Sequence, residues 1–152
     1  MRLIPYNKTH CRMLYEWRTV PLARAFSLND SLFTYEEHKN WFEKILSSPR
    51  IMGFVLMDGV TPAAHIRFDK LENSDRYLIS FASNPDLLRR GYASKLMEMA
   101  FLRPELPADA VFEAEVLPEN EASLKTLLKS GFINDGRIFV NGKEILRFIK
   151  KK

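Results

Sequence analysis

Apolar positions along this chain change period several times, and each change marks an element boundary. Met1–Tyr6 reads as a short strand. From Asn7, a cap, a helix runs to about Arg18, with Cys11, Leu14 and Trp17 on one side. Residues 19–33, carrying Pro21 and Asn29-Asp30, read as a loop or broken helix. Thr34-x-x-Glu37 is a capping box, in which side chain and main chain satisfy each other's free groups. It opens a helix whose apolar face is His38, Trp41, Phe42, Ile45 and Leu46. Ile51–Met57 is an apolar strand, and Asp58-Gly59 is a hairpin turn of the kind that needs positive φ. The following strand alternates, with Ala64, Ile66 and Phe68 facing one way and His65 and Arg67 the other.

A further strand spans roughly Arg76–Ser83 and leads into a tight basic turn ending at Gly91. Ala93, Leu96, Met97, Ala100 and Phe101 then follow the spacing of one buried helical face. The first turn of such a helix has free N–H groups and the positive end of a macrodipole, a suitable seat for an anion. Arg89 and Arg90 add charge to that seat. Arg103–Asp109 is a proline-bearing loop, and Val111–Val116 alternates so that Glu113 and Glu115 share a face. A helix from about Asn120 to Ser130 follows, with Leu124, Leu127 and Leu128 inward and Gly131 as its left-handed stop. Ile138–Val140 and Glu144–Ile149 flank Asn141-Gly142, a strong hairpin signal. Helices between central strands and hairpins at both ends predict an α/β fold on a mixed, partly antiparallel sheet.

Composition narrows the class. The chain has 152 residues, of which 46% are hydrophobic and 28% charged, as in a soluble globular protein, and one domain is expected. No run approaches the roughly 18 apolar residues of a membrane span. The N-terminus lacks the apolar stretch of a signal peptide. One cysteine, Cys11, excludes an intrachain disulfide and a cysteine metal cluster. These features point to the cytoplasm. The formal charge of +4 owes three of its positive charges to Lys150, Lys151 and Lys152, and charges of both signs are mixed elsewhere. That is no nucleic-acid stripe, but it suits a small polyanionic ligand. The three histidines stand far apart, so no metal site is expected.

Pro85-Asp-Leu-Leu88-Arg89-Arg90-Gly91-Tyr92-Ala93 resembles the pyrophosphate motif of GNAT-type (Gcn5-related) N-acetyltransferases. Leu88 stands where that family has Arg or Gln, and Arg89 where Gly is common. Asn120-Glu-Ala-Ser123 followed by Gly131-Phe132 is similar to the family's second signature, in the same order and spacing. The resemblance spans nearly the whole chain. It implies a central, mostly antiparallel sheet of six to seven strands, about four flanking helices, and acetyl-CoA as co-substrate. The strand before the motif, near Phe81 and Ser83, would offer its main chain to the pantetheine amides and splay from Val111–Val116. Arg89, Arg90, Gly91, Tyr92, Ala93 and Ser94 would wrap the diphosphate, and Asn120 and Ser123 would contact the pantetheine arm.

Acetyl transfer to an amine needs a base to take the ammonium proton and a polarised thioester carbonyl. Glu115 lies at the place of the base glutamate in ribosomal-protein acetyltransferases of this family, and Glu113 is the fallback. The plain alternative for both is a solvated strand face. The family often has a thiolate-protonating Tyr seven residues after the Asn, where this chain has Leu127; Tyr77 and Tyr92 are conceivable substitutes, and no general acid is assigned. His65 reads as a base at the acceptor slot or as a hydrogen-bonded structural histidine, and His38 as partly buried beside the acceptor.

Glu16-Trp17-Arg18, Arg24, Ser27 and Tyr35-Glu36-Glu37-His38-x-x-Trp41-Phe42 are similar to a GNAT subgroup that acetylates nucleotide-linked amino sugars on routes to nonulosonic acids such as pseudaminic acid. On that resemblance Trp17, Arg18, Arg24 and His38 would bind the acceptor, and His65, facing away from the apolar side of its strand, would join them. Trp17, Trp41 and Tyr35 could stack on a base or sugar, and Arg18 or Arg24 could hold the nucleotide diphosphate. Both tryptophans also read as core residues. A peptide or ribosomal-protein N-terminus is the alternative acceptor, a non-catalytic acyl-CoA-binding module the alternative class. No nucleic-acid or membrane partner is expected, and a homodimer is left open.

Overall fold

The computed structural model describes residues 1–28 and 32–152, so the Asn29-Asp30 part of the expected loop or broken helix over 19–33 lies outside the described residues. In chain order the elements are β1 (Arg2–Pro5), α1 (Cys11–Thr19), α2 (Pro21–Ala25), α3 (Tyr35–Ser47), β2 (Ile51–Asp58), β3 (Thr61–Lys70), β4 (Arg76–Ser83), α4 (Tyr92–Ala100), β5 (Val111–Val116), α5 (Glu121–Lys129), β6 (Ile133–Val140) and β7 (Lys143–Lys151). The strands form one sheet in the order β1-β2-β3-β4-β5-β7-β6. Every neighbouring pair is antiparallel except β4 and β5, which are parallel. The predicted mixed α/β sheet is therefore present.

Strand alternation divides the sheet into two faces. On one, Ala64, Ile66 and Phe68 of β3, Tyr77 and Ile79 of β4, and Phe112, Ala114 and Val116 of β5 pack with Leu96, Met97 and Ala100 of α4 and Leu127 of α5. Phe68 and Phe112 are wholly buried there, and truncating either ring to Ala costs about 3–5 kcal/mol. On the other face Cys11, Leu14 and Trp17 of α1 meet Phe42 of α3 in a smaller second core. His65 and Arg67 project toward this second layer.

The capping box forms as its spacing predicts. Thr34 Oγ1 accepts from the Glu37 N–H at 3.1 Å, and the Thr34 N–H donates to Glu37 Oε1 at 3.0 Å. Asn141 and Gly142 both take positive φ, 52° and 77°, which is what a two-residue hairpin turn demands.

Four features differ from the expectation, three of them element boundaries. Lys8–His10 forms a 3₁₀ turn because the His10 ring accepts from the Asn7 N–H, so α1 begins only at Cys11. Pro21 opens a short fifth helix, as proline does at a first helical position. Strand β6 starts at Ile133 rather than Ile138, since an exposed edge strand with a bulge at Asn134/Gly136 loses its apolar alternation. Leu128 is 57% exposed rather than inward, because α5 turns its buried stripe through Leu124 and Leu127 and the next residue lies about 100° around.

Candidate active site

The parallel pair β4–β5 is registered only from Arg76↔Val111 to Leu78↔Glu113. Both strands run on, β4 to Ser83 and β5 to Val116, without pairing to each other. The sheet thus opens a wedge whose walls are main-chain groups with no ladder partner on that side. Buried main-chain groups need partners, so the wedge suits an extended, amide-bearing chain. Phe81 lines it, whereas Ser83 pairs with Ala64 of β3 and lies beyond the cavity lining.

Beyond β4 the chain makes a 3₁₀ turn at Pro85–Leu87 capped by Asn84, a feature the sequence reading lacked. Arg89 and Gly91 then both adopt left-handed backbone, φ 63° and 79°. No side chain caps α4, so its first-turn N–H groups remain available to an anion. A Cβ at Gly91 would meet nothing within 4 Å, so the backbone angle rather than crowding calls for glycine. Arg89 and Arg90 are exposed and Ala93 is half-buried. The Tyr92 hydroxyl donates to Asp58 Oδ2 at 2.5 Å, tying the helix start to the β2–β3 hairpin and holding the phenol proton more tightly than usual. Gly91 and Ser94 line a separate hollow of about 540 Å³ with Lys95, Lys129 and Lys150.

The wedge opens into a cavity of about 1040 Å³ between the second sheet face and α1–α3. Trp17, Arg18, Arg24, His38, His65, Phe81, Glu115, Asn120 and Ser123 all line it, so residues dispersed through the chain converge there. The loop 89–94 does not reach it. Among the described lining residues the charged side chains are Arg18, Arg24, Arg67 and Glu115.

Side-chain packing fixes two of these arginines. The Arg18 guanidinium lies over the Phe33 ring at 3.9 Å and the Trp41 ring at 4.7 Å, and Arg67 approaches Trp41 from 5.1 Å. Burial, then the charge of Arg67, lowers the pKa of Arg18. His38 is fully buried; its Nε2 lies 2.9 Å from the Cys11 carbonyl, which can only accept, so Nε2 carries the proton. Nδ1 is left to accept from Arg18 at 3.4 Å. Both ring nitrogens are engaged, so His38 aims Arg18. Arg67 gives Nε and one terminal nitrogen to Asp69, at 2.7 and 3.1 Å. Trp17 is 8% exposed and belongs to the second core, as the core reading of that residue expected, while Trp41 faces the cavity edge.

Two residues were missing from the sequence reading. Tyr6 lies 2.7 Å from His65 Nδ1, and its ring covers Gly53 so closely that a Cβ there would sit 2.1 Å away. The signal was present: a glycine inside the apolar run Ile51–Met57 marks a close approach. Burial, reinforced by the Arg67 and Arg18 charges, drops the His65 pKa to about 3, so the ring is neutral at pH 7 and no proton acceptor there. Phe33, the floor under Arg18, carried no comparable signal.

The two carboxylates of β5 separate sharply. Glu113 is buried; burial alone would raise its pKa, but hydrogen bonds from Arg76 and Arg147 outweigh this and hold it low. Arg76 donates at 2.9 Å and Arg147 closes on the other oxygen. The fallback base is therefore a locked ion pair. Glu115 lines the cavity and makes no ion pair or hydrogen bond among the described residues. Arg147 pairs with Glu115 in register but spends its charge on Glu113. Asn120 Oδ1 accepts from the Ser123 N–H at 3.3 Å, capping α5 and leaving its amide NH₂ for a ligand. Leu127 is wholly buried, and Tyr77 belongs to the opposite core, so neither presents a proton donor to the cavity. No group of His, Cys, Asp and Glu among the described residues could hold a metal ion.

Comparisons with known proteins agree with this geometry. The acetyltransferase (GNAT) domain family matches residues 1–133. No curated protein matches the chain significantly. A spermidine N-acetyltransferase from Vibrio cholerae in complex with CoA and spermine superposes with a TM-score of 0.82 at 14% identity, over 99% of this chain and 94% of that one. The aminoglycoside acetyltransferase AAC(6')-Ib with acetyl-CoA and an aminoglycoside gives 0.78 at 16% identity, over 99% and 92%. At such identities the structures share the fold. With the family match covering most of its length, the chain belongs to the acetyltransferase (GNAT) domain family, as an acetyl-CoA-dependent N-acetyltransferase.

Proposed function

We propose that the chain moves an acetyl group from acetyl-CoA to a primary amine on an anionic acceptor, foremost a nucleotide-linked amino sugar. The observation that carries this reading is the charge of the cavity: among the described lining residues, three arginines, of which Arg67 is paired with Asp69, stand against the single carboxylate of Glu115. The fold neighbours are solved with spermine and aminoglycosides, which are polycations. A cavity lined by Arg18, Arg24 and Arg67 repels such molecules and attracts phosphate or carboxylate oxygens, which guanidinium groups recognise through paired N–H donors. Trp41 at the rim adds an aromatic face for a base or sugar.

The carrier fits the main-chain wedge, the uncapped α4 terminus and the arginines at 89 and 90. Acetyl-CoA, when bound, supplies an activated thioester. Unpaired main-chain N–H groups of β4 beyond Leu78 are suited to polarise its carbonyl, and the Asn120 amide to donate to its pantetheine arm. Glu115 takes a proton from the acceptor ammonium, and the neutral amine so formed attacks the thioester carbonyl. His65 is neutral and a poor base, and Glu113 is locked, so among the described lining residues Glu115 is the carboxylate placed to do so. With leucine at position 127, solvent protonates the departing thiolate, tolerable for a thiol of reference pKa about 8.5.

A thiol-release screen tests this reading directly. Nucleoside-diphosphate amino sugars, spermidine, kanamycin and amino-terminal peptides would be offered with acetyl-CoA. Turnover of the anionic amines above all others is expected; preferred turnover of the polyamine or the peptide would refute it.

A further inference from the structure

Gly53, Tyr6 and His65 form a stack that the transfer reaction itself does not account for. The Tyr6 N–H donates to the Gly53 carbonyl at 2.9 Å, and atoms of the phenol ring occupy the space a Cβ would need. Phe42 closes the other side with a centroid distance of 5.6 Å. So held, the hydroxyl has His65 Nδ1 as its hydrogen-bond partner among the described residues. Donor counting then decides the tautomer. An imidazole nitrogen accepts far better than a phenol oxygen, and an Nδ1–H would leave the phenol proton without an acceptor. Tyr6 therefore donates, and the imidazole proton sits on Nε2. Among the described residues that nitrogen has no hydrogen-bond partner, it is open to solvent, and the ring lines the acceptor cavity. Arg18 and Arg67 line the same cavity close enough to act on its charge, and each keeps N–H groups not engaged by the described residues.

We propose that Tyr6 is a positioning residue that locks His65 with its Nε2–H turned into the cavity, where with Arg18 and Arg67 it forms a subsite for an anionic oxygen of the acceptor. The inference rests on the anionic-acceptor reading and deepens it, since three convergent donors match a phosphate oxygen and reject an ammonium. It also assigns His65 a binding role and removes it from proton transfer.

The test uses protein labelled with ¹⁵N-histidine, with UDP as the probe. At pH 7 the wild-type His65 resonance is expected to report a protonated Nε2 and an unprotonated Nδ1, and to move as UDP is added. Tyr6→Phe keeps the ring and removes only the hydroxyl. It should mix the two tautomers and weaken UDP about tenfold, the scale of one hydrogen bond. In turnover the loss should fall on the acceptor KM rather than on kcat. Gly53→Ala, which displaces the phenol while keeping its hydroxyl, should shift the His65 signal in the same direction. A wild-type His65 protonated on Nδ1, or a resonance indifferent to UDP, overturns the proposal. UDP moving His65 in a protein that acetylates no anionic amine supports the subsite and refutes the transfer reading instead.

Discussion

The wedge and the cavity, proposed to take carrier and acceptor, meet at Glu115 but are built by opposite means. Main chain makes the wedge: two strands that stop pairing after Leu78↔Glu113, and a left-handed Gly91 before an uncapped helix. Side chains make the cavity: Arg18 on Phe33 and Trp41, His38 behind Arg18, Tyr6 behind His65. A main-chain site survives almost any change of side chain that preserves the strands, which is consistent with a fold shared at 14–16% identity. A side-chain site can change its ligand with one charge. Carrier and acceptor binding should therefore respond to different mutations.

The sharpest separation runs between the two carboxylates of β5. Glu115→Gln should lower kcat about 10²–10³-fold at pH 7, leave acetyl-CoA affinity unchanged by calorimetry, and make the residual rate climb with pH as the free amine fraction grows. Wild-type rates from pH 6 to 9 would remove it as base. Glu113→Gln should do the reverse. Two partly exposed guanidiniums lose their counter-ion, which costs about 2 kcal/mol after allowing for solvent screening. For a chain of this size that lowers Tm by about 4–8 °C with little change in kcat.

Next in size is Arg18→Ala, expected to raise the acceptor KM about 10–100-fold, the scale of lost charged hydrogen bonds. Acetyl-CoA affinity should not follow, and a parallel loss of both would dissolve the distinction between wedge and cavity.

A pH effect on stability follows from the buried histidines. His65 has a folded pKa of about 3 and burial also lowers His38 and His10, against about 6.5 in an unfolded chain. Below pH 6.5 the unfolded state therefore binds more protons, so acid favours unfolding. Stability from these groups is complete above pH 6.5 and is lost as pH falls below it, for His65 by up to about 1.4 kcal/mol per pH unit down to about pH 3. Thermal melts from pH 7.5 to 4.5 should show Tm falling, and a flat profile would contradict the burial of these rings. The smallest effect is Gly91→Ala. Its left-handed backbone should cost about 1 kcal/mol of stability, read by denaturant titration, and weaken acetyl-CoA while sparing the acceptor KM.

The same division explains what could be read from the chain. Strand alternation in β3 and β5, the capping box at Thr34 and the turn at Asn141-Gly142 are local and fixed the sheet and its faces. Gly91 and Asn120 were readable because main-chain demands recur at fixed spacing. The role of Glu113 was not readable, since Arg76 and Arg147 reach it from 37 and 34 residues away. Tyr6 and His65 lie 59 residues apart, and only Gly53 hinted at the phenol above it. Leu128 satisfied helical spacing yet faces outward, because spacing alone does not locate the edge of a buried stripe.

A crystal structure of the protein soaked with CoA bears most directly on the junction at Glu115. The account predicts the pantetheine arm lying between Ile79–Ser83 and Ala114–Val116, its diphosphate on the N–H groups after Gly91 and its sulfur at the cavity mouth beside Glu115. A closed wedge with CoA bound elsewhere, or a sulfur pointing away from Glu115, would contradict it.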